Sequence, residues 1–170
     1  MTVHEASACK AMKPAEFGSV SSGTMRTEDL LTAFTGTLDH LLSIQPRRFP
    51  RKKYRALIRD ANKALALKDS DNAADDASDI VSELFDALNE FAPVYGYFGA
   101  HCGDGADYGY WLMDDLEECF DGLKVSDTSE VPADYRGEVL HVNERGNVTL
   151  YVAHGRKGRA PKLREIWSLV

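Results

Sequence analysis

The sequence predicts an α+β fold: three N-terminal helices followed by an antiparallel sheet of about five strands, with one short helix inserted. Three observations carry that prediction. Apolar residues recur at helical spacing from Leu30 to Phe91, the pattern switches to aromatic and β-branched residues after Pro93, and two alternating runs flank the turn sequence Asn143-Glu144-Arg145-Gly146. A chain of 170 residues fits one ordinary domain with a real core. Its 44% apolar and 28% charged content argues against a fibrous or wholly disordered chain.

Residues 1–24, rich in Ser, Ala, Gly and Lys without a sustained period, read as a flexible leader, leaving 25–170 as a single α+β domain. Thr27-Glu28-Asp29 reads as an N-cap with first-turn acids, and Leu30, Leu31, Phe34, Leu38, Leu41 and Leu42 form the inward face of a helix over about 28–44. Pro46 and Pro50 interrupt it. A second helix runs from Pro50 to about Leu67, with Tyr54, Leu57, Ile58, Ala61, Ala64 and Leu65 inward. A third spans Ala74 to Phe91, with Ala77, Ile80, Val81, Leu84, Leu88 and Phe91 inward, and Pro93 stops it.

Val94–Ala100 and Tyr108–Leu112 read as strands, and Met113–Leu123 as a short acidic helix. Glu138–Val142 and Val148–Val152 form a hairpin closed by Gly146. Gly155–Pro161 reads as a flexible basic loop, and Leu163–Val170 as a closing strand. No apolar run reaches membrane-spanning length, and the first thirty residues lack the apolar core of a secretory signal, so a cytoplasmic setting is expected. Cys9, Cys102 and Cys119 are odd in number and share no CxxC spacing, which suits free thiols in a reducing compartment.

The stretch from Phe98 to Trp111, FGAHCGDGADYGYW, gathers a histidine, a thiol, two carboxylates and glycines. It matches neither GxxxxGK[ST] nor GxGxxG, and Asp104 and Asp107 would repel a phosphate. His101 and Cys102 are adjacent and point to opposite faces of an extended segment, a poor pair for tetrahedral zinc, and the calcium-loop framework is absent. The reading favoured here is a turn with glycines and aspartates in left-handed conformations, with no metal and no cofactor. A small enzyme built on His101–Asp107 stays as an alternative. Tyr95, Tyr97, Phe98, Tyr108, Tyr110 and Trp111 read as cross-strand packing, with a stacking platform for bases as the other reading.

Charge is sorted along the chain. Eighteen acids against Lys124 give −17 between Asp69 and Asp134, while nine basic residues against Asp60 give +8 between Arg47 and Lys68. On the third helix Asp76, Asp79, Glu83, Asp86 and Glu90 follow helical spacing, within a sector of roughly 80° and over about 21 Å. Like charges at these spacings cost about 0.2–0.5 kcal/mol a pair, so a cation is expected nearby. Lys52, Arg55, Arg59 and Lys63 on the second helix are one source, through antiparallel helix packing. A positively charged protein surface of a host or phage complex is another, with Asp114, Asp115 and Glu118 adding to the acidic contact. The runner-up partner is nucleic acid, bound by the basic helix 51–63 and the 155–162 loop through Lys52, Arg55, Arg59, Lys63, Arg156, Lys157 and Arg159.

The segment from Tyr97 to Trp111, YFGAHCGDGADYGYW, together with Gly146-Asn147-Val148-Thr149-Leu150-Tyr151, resembles segments of small uncharacterised accessory proteins of phages and prophages. The likeness covers about Met25–Val170 and transfers no catalytic residue. It implies an accessory protein acting on a host or phage complex, in the manner of small acidic proteins that block DNA-binding or defence machinery.

Overall fold

A computed structural model of the chain describes residues 12–67, 73–156 and 159–170. Contacts divide it into two compact units, one ending at Met113 and the other spanning Asp114–Val170. It is α+β, with four helices and two sheets of three and four strands among the described residues, in place of one sheet of about five.

The first unit holds α1 (Thr27–Ile44), α2 (Lys52–Ala66) and α3 (Ala73–Asn89), close to their predicted bounds. The helical spacing is reflected in burial: Leu31, Phe34, Leu38, Ala61, Leu84, Leu88 and Phe91 are all at 1% exposure or less. The N-cap of α1 is Arg26, without a side-chain cap bond, in place of Thr27; Thr24 instead hydrogen-bonds Asp29 from outside the helix.

The sheet of this unit runs β1-β3-β2, with β1 at Gly18–Ser21, β2 at Gly96–His101 and β3 at Asp104–Leu112. β1 corrects the expectation of a leader over residues 1–24; residues 1–11 lie outside the described ones. Three backbone-directed ties order residues 13–21. Ala15 N–H donates to Phe91 O at 2.8 Å, Gln45 exchanges two amide bonds with the Lys13 backbone, and β1 pairs with β3. Gln45 is itself buried, so its amide is satisfied by main chain.

Phe98 and Tyr110 sit opposite each other across β2 and β3 and turn toward the helices. Phe98 packs edge-on to Phe34 of α1 at 5.1 Å and to Phe85 of α3 at 5.3 Å. Tyr110 is 2% exposed; its hydroxyl donates to Leu88 O at 3.0 Å, and burial pushes its pKa well above the ordinary tyrosine value.

In the second unit the acidic helix shortens to α4 (Leu116–Cys119), and Leu123–Val125 forms β4, parallel to β5 (Arg136–Val142). β5 pairs antiparallel with β6 (Val148–Arg156), and β6 with β7 (Arg159–Leu169). The expected hairpin forms: Gly146 has φ 80°, its N–H reaches Asn143 O at 2.9 Å, and the Asn143 side chain accepts from the Arg145 and Asn147 amides. Leu140, Leu150 and Trp167 follow one another across β5, β6 and β7 and are buried.

The 155–161 segment is β-structure in place of a basic loop, apart from residues 157–158, which lie outside the described ones. Pro161 is accommodated because β7 is an edge strand, where a missing N–H costs no ladder bond on the open side.

Between β4 and β5 a 3-10 turn at Thr128–Glu130 carries a capping box. Asp127 accepts from Ser129 N–H at 2.7 Å, and Glu130 accepts from Asp127 N–H at 3.5 Å and from Ser126 N–H at 3.0 Å. These backbone bonds hold both carboxyls below their ordinary pKa values. Depressed folded values mean that the cap stabilises the turn above the unfolded carboxylate range and is lost as pH falls through the folded values. The Ser129 amide resonance is therefore expected to titrate below the ordinary aspartate midpoint. In Asp127→Asn, which keeps an N-cap acceptor, that transition is expected to vanish while the amide stays bonded.

Candidate functional site

His101 and Asp104 close the β2–β3 hairpin around Cys102 and Gly103, so the glycine stretch is mostly strand. Gly103 N–H donates to His101 Nδ1 at 3.0 Å, and the His101 ring stands edge-on to Trp111 at 4.7 Å. Trp111 Nε1–H donates to Gly99 O, Asp104 accepts from Ala106 N–H, and Asp107 accepts from the Ser19 hydroxyl. His101, Asp104, Asp107 and Trp111 are thus engaged locally, in the geometry of the hairpin and its neighbour β1. The left-handed glycines expected here are not found. Among the described residues positive φ occurs at Tyr95, Gly18, Gly23, Gly137 and Gly146. What the stretch requires instead is closeness. A Cβ on Gly109 would lie 2.3 Å from Gly18 O and 2.9 Å from Ser19 Cα.

Among the described residues no group of three or more His, Cys, Asp or Glu side chains is placed to hold a metal ion, and no helix is long and apolar enough to cross a membrane. Cys102 and Cys119 are exposed free thiols. Cys119 donates to Asp115 Oδ2 at 3.2 Å, and that hydrogen bond to the carboxylate raises the thiol pKa, opposite to what a nucleophile needs.

The acidic row takes shape on α3. Asp76, Asp79, Glu83 and Asp86 are exposed along one side of the helix, opposite buried Leu84 and Leu88. Glu90 lies just past the helix and separates from this set: Lys53 Nζ contacts both of its carboxylate oxygens at 2.7 Å, and Tyr54 donates to it at 2.9 Å. The Glu90 bond raises the Lys53 pKa, and desolvation raises that of Tyr54. The α2 residue that pairs with Glu90 is therefore Lys53, outside the predicted stripe.

On α2, Lys52, Arg55, Arg59 and Lys63 are exposed. Arg59 pairs with its own neighbour Asp60 at 3.3 Å, and among the described residues the ion pairs are that one and Lys53–Glu90. The two stripes approach in a groove of about 340 Å³, where Lys63 and Asp60 of α2 face Asp76 and Asp79 of α3 over Ala64, Leu67 and Ile80, without closing to ion-pair distance. Four carboxylates of the row thus keep no cation within 4 Å among the described residues.

Asp114, Asp115 and Glu118 are exposed around α4 and belong to the second unit, whereas the α3 row belongs to the first. Arg159 and Lys162 are exposed on β7. The Arg156 side chain and Lys157 fall outside the described residues.

No protein-family model, curated protein or solved structure matches this chain.

Proposed function

We propose that this chain is a non-enzymatic protein-binding module whose acidic α3 face engages a positively charged protein surface. In this reading it is an accessory protein of the phage type, occupying a basic surface of a host or phage complex that otherwise meets nucleic acid. One observation carries the reading: Asp76, Asp79, Glu83 and Asp86 are exposed on one helix side and none is ion-paired among the described residues. Their mutual repulsion, about 0.2–0.5 kcal/mol a pair, is relieved when cations of a partner are placed against them. Asp114, Asp115 and Glu118 offer a second acidic contact on the other unit.

The test uses a lysine- and arginine-rich helical peptide as probe. Wild-type protein is expected to bind it with an affinity that falls as salt rises. The Asp79→Lys, Glu83→Lys, Asp86→Lys triple variant should bind at least about a hundredfold more weakly, since three attractions become repulsions. All three positions are exposed, so the variant is expected to fold as wild type does. Equal affinity of the two proteins would refute the proposal.

A further inference from the structure

Arg47-Arg48-Phe49-Pro50-Arg51 turns the corner between α1 and α2, and the fold fixes that corner firmly. Phe49 N–H donates to Pro46 O at 2.9 Å, and the Phe49 ring stacks on buried Tyr54 at 5.6 Å. Arg51 folds back onto the end of α1. Its Nε donates to Leu42 O at 3.2 Å, Nη2 to Gln45 O at 2.5 Å, and Nη1 to the carbonyls of Arg47 and Phe49. The guanidinium is thus held in one plane by neutral carbonyls, and its charge is not cancelled by a carboxylate.

Arg47, Arg51 and Arg55 line a groove of about 550 Å³ at this corner, together with Asp39, Ser43 and Phe49. Three guanidiniums against one carboxylate leave the lining at +2. None of these four charged side chains is in an ion pair among the described residues, although Arg47, Arg55 and Asp39 are all exposed. Clustered like charge without a counter-ion is the arrangement that an anion relieves. Guanidinium is suited to phosphate because its planar fork meets two oxygens at once. The volume lies within the range of small-ligand clefts, larger than a phosphate group alone requires.

From these features we infer that the α1–α2 corner is a phosphate-binding site, with Arg51 as its fixed base and Arg47 and Arg55 as arms that close on the anion. The phosphate is carried by a larger molecule, either a nucleotide-sized ligand or a nucleic-acid strand. The site is independent of the acidic α3 face and stands or falls separately from it.

The arginine Nε–Hε resonances of the full chain report the test directly. Inorganic pyrophosphate, adenosine monophosphate and a short single-stranded oligonucleotide are titrated in separate arms. Saturable shifts of the Arg47, Arg51 and Arg55 signals are expected, with affinity at least about tenfold weaker in Arg47→Ala/Arg55→Ala. Arg59→Ala/Lys63→Ala removes the same charge from α2 outside the groove and should weaken pyrophosphate binding by no more than about twofold. The charge-retaining Arg47→Lys/Arg55→Lys pair should fall between wild type and the alanine pair, because it keeps attraction and loses the fork. Saturation by the two small phosphates supports a small phosphorylated ligand. Saturation by the oligonucleotide alone supports a nucleic-acid strand. Absence of saturable shifts with all three probes, or equal weakening in the two alanine pairs, overturns the site.

Discussion

Replacing Phe98 with alanine is expected to lower the unfolding free energy of the helical unit by about 3–5 kcal/mol. The ring is 2% exposed and sits where three elements converge, 5.1 Å from Phe34, 5.3 Å from Phe85 and 5.0 Å from Tyr110. Truncation removes the apolar burial and leaves a cavity between α1, α3 and the sheet that these neighbours can only partly fill. The backbone tie from Phe98 N–H to Asn89 Oδ1 survives the change, so the loss reads packing and not pairing. Urea denaturation followed by helical circular dichroism measures it. A shift of the midpoint at constant slope is expected, and a loss below about 1 kcal/mol would mean that Phe98 does not join helices to sheet.

Gly109→Ala should have the second largest effect on stability, about 2–3 kcal/mol, although it adds a single methyl group. The added carbon would lie 2.3 Å from Gly18 O, 2.9 Å from Ser19 Cα and 2.8 Å from Trp111 Cζ2. Two of these neighbours are backbone of β1, so relief requires the strand to withdraw from β3. Amide hydrogen exchange should accelerate along β1 and at its partners on β3, while β2 amides paired with β3 stay protected. Gly105→Ala in the same strand is the control, because nothing lies within 4 Å of its added carbon. Equal effects of the two substitutions would contradict the role given to the close β1–β3 approach.

Those two residues mark where the sequence was legible. The helices were readable because each buries a continuous apolar stripe, from Leu30 to Leu42 on α1 and from Ile80 to Leu88 on α3. The hairpin at Asn143–Gly146 was readable because its turn demands a left-handed residue and glycine supplies it. β1 was not. Gly18-Ser19-Val20-Ser21 has little side-chain pattern and is held by main-chain pairing to β3, whose signal is the absence of a side chain at Gly109. β4 is three residues long, too short for a period to register. With those strands unseen, two separate sheets read as one.

The candidate surfaces divide in the same way. Helical spacing alone put Asp76, Asp79, Glu83 and Asp86 on one side of α3, because periodicity fixes a face. The partner of Glu90 followed from how α2 packs on α3, which selected Lys53 over the stripe of Lys52, Arg55, Arg59 and Lys63. Arg51 was invisible as a fixed element for the same reason: its ligands are carbonyls at the end of another helix.

The proposal for α3 is tested most directly by mapping the basic peptide onto the protein through backbone amide resonances during a titration. Binding through the acidic row predicts saturable shifts concentrated between Asp76 and Asp86, weakening as salt rises and absent from the triple lysine variant. Saturable shifts that leave residues 76–86 unmoved, or that persist unchanged in the variant, would contradict it.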